Sequence, residues 1–310
     1  LTLPDFVEVI GPFVFNNSEN IEEIIISNES KLRIIEKCSF YNSKIKSIYF
    51  PPHLTQICEK AFCYCNCLKK IQVDDNSELS IIGKNAFYYT SIESFKVPLN
   101  LTIIEESAFD NCNMLKQVEI PFNSRLQVIE KRAFASTSIE NISTTFNLTK
   151  ICEDAFASCG KLKQITIVNS VNTIKIEKNA FSSDSNKSII FPSTYVEFEN
   201  GWLNNSHLKE IIVNPDNPYF QLYDDKLIIG KSSPEKQIFD VLIVLNSDVE
   251  TIKIPRFIEK FGPQSFTGRE KLQQIDFPDD SNLQIIEYGS FFQSNIKTFK
   301  IPSKVTKICK

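Results

Sequence analysis

The sequence predicts a repeat solenoid: stacked coils with short parallel strands on a concave face, extended or 3₁₀ segments on the convex face, and few or no regular helices. Three observations point there. A phenylalanine-closed motif returns at near-constant spacing along the 310-residue chain. An apolar-x-x-apolar-x-apolar run, often followed by proline, sits between successive motifs. The composition sets 25 phenylalanines against 8 glycines, so aromatic packing has to be structural and phosphate-cradling glycine loops are missing.

The closing motif, apolar-Ile-x-x-x-Ala/Ser-Phe, reads RIIEKCSF, QICEKAF, IIGKNAF, IIEESAF, VIEKRAF, KICEDAF, KIEKNAF and IIEYGSF. Its phenylalanines are Phe40, Phe62, Phe87, Phe109, Phe134, Phe156, Phe181 and Phe291; Phe15 and Phe266 extend the series, and Leu203 fills one further place. From 15 to 203 the intervals alternate 25 and 22. The longer units carry three extra residues before the Ile-Ile pair. In them a serine stands ten residues before the anchor, at Ser30, Ser77, Ser124 and Ser281. The true period is a two-coil unit of 47 residues. No coil of this kind buries its apolar edge alone, so neighbours must stack. The anchor rings then form a column with members about 4.8 Å apart. Truncating one to alanine costs about 3–5 kcal/mol.

Between anchors lie IKSIYFP, LKKIQV, IESFKVP, LKQVEIP, LKQITI, LKEIIV, LQQIDFP and IKTFKIP. These β-rich runs predict one short parallel strand per repeat, ended where proline needs no further ladder donor. A 22–25-residue unit with one such strand has leucine-rich-repeat length. The return path is too short for an amphipathic helix, hence the expected extended or 3₁₀ convex side.

One interval breaks the rule: Leu203 to Phe266 is 63 residues. Counting back 22 from Phe266 reaches Val244, leaving 204–244 as a stretched, irregular repeat. Two apolar runs there flank a Gly-Lys-Ser-Ser-Pro turn, which predicts a hairpin-like excursion. The chain otherwise reads as a single leucine-rich-repeat solenoid over 1–310, with about 11 anchored repeats. It stops inside a unit, at KICK, and opens without a signal peptide's basic and apolar regions, so it reads as a fragment lacking its targeting segments.

The repeat also explains most of the nine cysteines. Cys58, Cys152 and Cys309 occupy one slot, four before the anchor. Cys65, Cys112 and Cys159 occupy another, three after it, where other coils place Ser43, Thr90, Thr137 and Ser294. Thiols in such slots act as small hydrophobes. Cys63 and Cys67 have no counterparts, and Cys38 substitutes in the Ala/Ser/Asn region. Structural free thiols are the expectation; a local disulfide around Cys63 and Cys67, or a metal, are the alternatives.

Catalytic chemistry is not visible. His53 sits in the PPHLT turn and His207 in NNSHL before a strand, no G-x-S-x-G or H-E-x-x-H stretch occurs, and the pairs Asp74-Asp75 and Asp279-Asp280 read as turn caps. A formal charge of -4 argues against nucleic acid or an anionic membrane as partner, and no apolar run is long enough to span a bilayer. The reading is therefore no enzyme, no cofactor and no metal. Sequons occur at Asn16, Asn28, Asn100, Asn141, Asn147, Asn186 and Asn204; repetition alone multiplies them, as at Asn100 and Asn147.

What remains is surface. The third and fifth positions of each strand run should face outward. The candidate partner-facing residues are Tyr49, Gln72, Lys96, Glu119, Thr166, Ile190, Ile212 and Lys253, a row without a single-sign field. Ile190 and Ile212 stand out as adjacent apolar residues, either exposed for binding or packed beneath 204–244.

The unit "LxxIxIP…LTxIxxxAFxxC", as in IIEESAFDNCNMLKQVEIP, KICEDAFASCGKLKQITI and KICEKAFCYCNCLKKI, resembles the BspA-like leucine-rich-repeat family across essentially the whole chain. NPYFQLYDDKLI looks like that family's N-P-x-F…L interruption, while scarce glycine after the phenylalanine and the unrepeated cysteines depart from its pattern. The resemblance implies a cell-surface or secreted antigen or adhesin that binds host-cell or extracellular-matrix proteins. The alternative is an intracellular scaffold for protein–protein interaction, which unpaired thiols would suit.

Overall fold

The computed structural model describes residues 1–203 and 206–309, and of residues 184, 186, 206 and 207 the backbone alone. The described residues form a parallel β-solenoid without helices. Most coils contribute two strands where the sequence reading expected one; near the ends the inner strand shrinks to isolated bridges at Thr2, Ile25 and Thr298. The inner strands are the anticipated runs, for example Ser47–Phe50 against Lys70–Val73, and Asn141–Ser143, Gln164–Thr166, Ser183–Ile190 and Ser206–Ile212 in one sheet. The return segment is extended, as expected, and hydrogen-bonds into a ladder of its own. Nine short strands, from Val9–Ile10 through Ile34–Ile35 and Gln56–Ile57 to Val196–Phe198, pair in parallel. The reason is general: backbone groups stacked at strand spacing and shielded from water must find partners.

The anchor phenylalanines sit between these ladders. From Phe15 to Phe181 consecutive rings stack at 5.0, 4.8, 5.3, 5.1, 5.3, 5.5 and 6.0 Å. Phe40 through Phe181 are fully buried, while Phe15 and Phe291 at the ends are half-buried. Each anchor also ties its backbone to the next coil: Phe40 N–H donates to Ala61 O at 2.8 Å, and Phe62 N–H to Ala86 O at 2.7 Å.

To bring the ring inward, the chain turns through left-handed residues two before and two after the anchor. Cys38 and Asn42 flank Phe40; Lys60 and Tyr64 flank Phe62; Asn85 and Tyr89 flank Phe87. Such a conformation costs an L-residue about 1–2 kcal/mol. Inter-coil bonds from these residues, such as Asn42 N–H to Cys63 O at 2.8 Å, offset it. Glycine is scarce because the ladder, not backbone freedom, holds the turn.

The 47-residue period is visible in contacts between unlike coils. Ser30, Ser77 and Ser124 are buried and accept the N–H two residues on, at 3.2–3.3 Å. Lys37–Glu59, Lys84–Glu106 and Lys131–Glu153 pair across successive coils at 2.9, 2.7 and 2.7 Å.

At the anomalous interval, Phe220–Tyr223, Leu227–Gly230 and Val241–Leu245 form an antiparallel meander. Its last strand then opens a second parallel ladder with Lys260–Phe261, Ile285–Ile286 and Lys307–Ile308. Leu245 N–H donates to Ser265 O at 2.7 Å, the bond anchors make elsewhere, one residue beyond Val244. Leu227–Gly230 and Val241–Leu245 are buried on both faces. Ile228, Val241 and Ile243 join the core of the first stack, while Leu227, Ile229, Leu242 and Leu245 join a separate core with Phe261 and Phe266. Within the meander the polypeptide is thus a wall between two cores.

Candidate functional site

The inner strands bury every second residue and present the others, so their outward residues form rows across the coils. Register places Tyr49 beside Gln72, Lys96 beside Glu119, and Thr166 beside Ile190, which in turn lies beside Ile212. Gln72, Lys96, Glu119 and Lys253 are exposed. Thr166 and Ile190 are half-buried, and Ile212 is 43% exposed, so the 204–244 segment does not cover it. Tyr49 is half-buried and donates from its hydroxyl to Asp74 Oδ2 at 2.8 Å. Burial, reinforced by that bond, pushes its phenol up to about 12. Lys96 pairs with Asp75 at 2.9 Å.

Shallow cavities lie on this face. One of about 640 Å³ is lined by Val118, Glu119, Ile142, Ser143, Gln164 and Thr166. Another, about 270 Å³, holds Ile25, Tyr49 and Gln72. A third, about 360 Å³, runs from Lys96 and Asp75 over Pro98 and Leu99.

Treating the aromatics as core concealed two surface features. Leu99 is 42% exposed, Phe122 and Val171 are 65% exposed, and Phe122 stacks on Phe146 at 5.6 Å. These residues line the turns that leave the inner strands, and each precedes an asparagine: P-L-N, P-F-N, T-F-N and S-V-N. That repeat was the available signal. Tyr41, Tyr64, Tyr88 and Tyr89 cluster at 5.5–5.9 Å on the corner past the anchors.

The cysteine-rich stretch resolves into packing. Cys65, Cys112 and Cys159 donate to the carbonyls of Phe40, Phe87 and Phe134 at 2.8, 3.0 and 3.2 Å. Their sulfurs lie 3.4, 3.2 and 3.3 Å from the hydroxyls of Ser43, Thr90 and Thr137, so the shared slot is a shared hydrogen bond. All nine cysteines are unpaired. Desolvation pushes Cys58 and Cys65 up to about 11, and Cys63 and Cys112 up to about 12. Burial that disfavours the thiolate lowers the nucleophilicity of these four thiols. Among the described residues no group of three His, Cys, Asp or Glu side chains could hold a metal ion.

His53 is exposed beside Glu78 at 3.1 Å. Asp74 caps its turn by accepting Asn76 N–H at 2.8 Å. The amides of Asn100 and Asn147 donate to Ser77 O and Ser124 O at 2.9 and 2.8 Å, so those sequons serve the turn. Asn204 lies outside the described residues, and of Asn186 and His207 the backbone alone is described.

The model of the BspA type leucine rich repeat region matches residues 1–116, 114–223 and 241–310. A leucine-rich repeat protein from Bacteroides ovatus has a similar fold, with a TM-score of 0.51 at 18% identity, over 100% of this chain and 83% of that one. Weaker likenesses are the pneumococcal vaccine antigen PcpA, with TM-score 0.47, 17% identity and 100% and 67% coverage, and a leucine rich cell surface protein from Faecalibacterium prausnitzii, with 0.38, 18%, 99% and 86%. No curated protein matches the chain.

Proposed function

Because the chain belongs to the BspA-type leucine-rich repeat family, we propose that it is a non-catalytic cell-surface protein whose inner-strand face binds host-cell or extracellular-matrix proteins. One observation supports the reading: a row of exposed and half-buried residues, in register from coil to coil, that includes the adjacent apolar pair Ile190 and Ile212. Some charges on this face pair within the protein, as Lys163 does with Glu140 at 2.7 Å and Lys96 with Asp75 at 2.9 Å, which leaves the apolar pair as the anchor for a partner. Cys65, Cys112 and Cys159 do not favour an intracellular scaffold, since burial and a hydrogen bond protect each in either compartment; Cys58, Cys67 and Cys309 are partly exposed.

A binding screen against matrix proteins and host cells tests this, using the native chain and an Ile190→Glu/Ile212→Glu double variant. Binding by the first, lost in the second with the melting temperature unchanged, is the expected result. Absence of labelling when intact source cells are surface-biotinylated would remove the surface reading.

A further inference from the structure

The stacking of coils breaks at one place, and a cavity opens there. The first outer ladder ends at Val196–Phe198, which is paired on one side only. The next outer rung, Val241–Leu245, takes the hairpin strand Leu227–Gly230 as its neighbour instead. Between them lies a cavity of about 360 Å³, a size typical of small-molecule sites.

Its apolar lining is Val196, Phe198, Trp202, Phe220, Val241 and Ile243. The half-buried Phe198 ring packs on the buried rings of Trp202 and Phe220, at 4.3 and 6.1 Å, so Phe198 is the one of these three rings that faces the cavity. Lys231 also lines it, with Nζ 5.8 Å from the Tyr219 ring centroid and 5.4 Å from that of Phe239. No acceptor among the described residues bonds this ammonium. The neighbouring cations are engaged: Lys260 with Glu287 at 3.0 Å, and Lys236 with Asp240 and Glu259. Glu197 is the single carboxylate in the lining, against two ammonium groups.

We propose that this cavity binds a small carboxylate with an aromatic or similarly flat apolar body. The acid group pairs with Lys231, and the body lies along Phe198, which Trp202 and Phe220 back from the core. A half-buried ammonium between two rings gains most from an anion, because charge-assisted bonds strengthen as water is excluded. An aromatic body meets ring faces and edges that a sugar's hydroxyls would leave unsatisfied. The site lies on the outer ladder, so it stands apart from the inner-strand face.

Trp202 is the only tryptophan in the chain and packs against Phe198 at 4.3 Å, so its fluorescence reads the cavity through that ring. The full chain is titrated with phenylbutyrate, phenylbutanol and phenylbutylamine. Phenylbutyrate is expected to give a saturable change, with the alcohol roughly tenfold weaker and the amine weaker still. Lys231→Met keeps the stem but removes the charge, and brings phenylbutyrate to the level of the alcohol. Lys231→Arg keeps the preference, and Lys161→Met, at an exposed position in another coil, changes nothing. The proposal is overturned if no probe saturates, if acid and alcohol bind equally, or if Lys231→Met retains the preference for the acid.

Discussion

Between Val9 and Phe198 nine outer rungs stack without interruption, and the anchor rings lie face to face from Phe15 to Phe181. After the meander the same motif supplies only Lys260–Phe261, Ile285–Ile286 and Lys307–Ile308, with one face-to-face anchor pair, Phe266 on Phe291 at 5.5 Å. The short stack is not simply less of the long one. In a quasi-one-dimensional array stability is a sum over neighbours, so a short array leaves a larger share of its coils at an end. The second stack compensates by leaning on Val241–Leu245, which gives it Leu242 and Leu245 while giving Val241 and Ile243 to the first. An inserted strand pair apolar on both faces does the work of a coil.

Mutations can separate the two stacks. Phe109→Ala, in the middle of the long column, should cost about 3–5 kcal/mol in chemical denaturation, and Phe291→Ala distinctly less because its ring is half-buried. Equal losses would mean that position in the stack does not matter. Leu242→Ala should cost about 2–5 kcal/mol, and its effect should be local. Hydrogen exchange is expected to accelerate in residues 245–309 before residues 1–203; uniform acceleration would make the two cores one cooperative unit.

Acid sharpens the same contrast. Burial would raise the Asp240 carboxyl, but bonds from Lys236 and from Ser232 outweigh it and hold the group below the usual carboxylate value. A lowered folded-state pKa stabilises above the unfolded value of about 3.9 and is lost as pH falls through the folded one. The meander should therefore loosen below about pH 4, and Asp240→Asn should flatten that dependence in melts from pH 6 to 3 while lowering stability at neutral pH. The smallest effect tests the corners. Lys60→Gly, at φ 57, should stabilise by about 1 kcal/mol, and no gain would show that the inter-coil bonds fully relieve that strain.

The 25- and 22-residue intervals located every ring of the column from Phe15 to Phe181, and the slot shared by Cys65, Cys112 and Cys159 was legible as filler. A repeated position carries many copies of one environment, so a few residue types state it clearly. The second ladder was not legible: its two-residue strands carry no alternation, and backbone pairing needs no particular side chain. The left-handed corners were hidden because Lys60, Tyr64 and Arg132 are residues that local preference would keep out of that conformation. Of the candidate binding face, the row of residues was readable from strand alternation. The exposed turn ladder of Leu99, Phe122 and Val171 was lost among aromatics assigned to the core.

By itself the sequence determined that this chain coils, how often, and which ring of each coil points inward, because those features recur and periodicity is one-dimensional information. Only the tertiary structure decided that the return segment is a second sheet, that 227–245 divides two cores, and that a lined cavity remains beside Lys231. Those outcomes occur once or depend on backbone groups meeting across coils. Their physical cause is which neighbours come within bonding distance, and no single stretch of residues carries that.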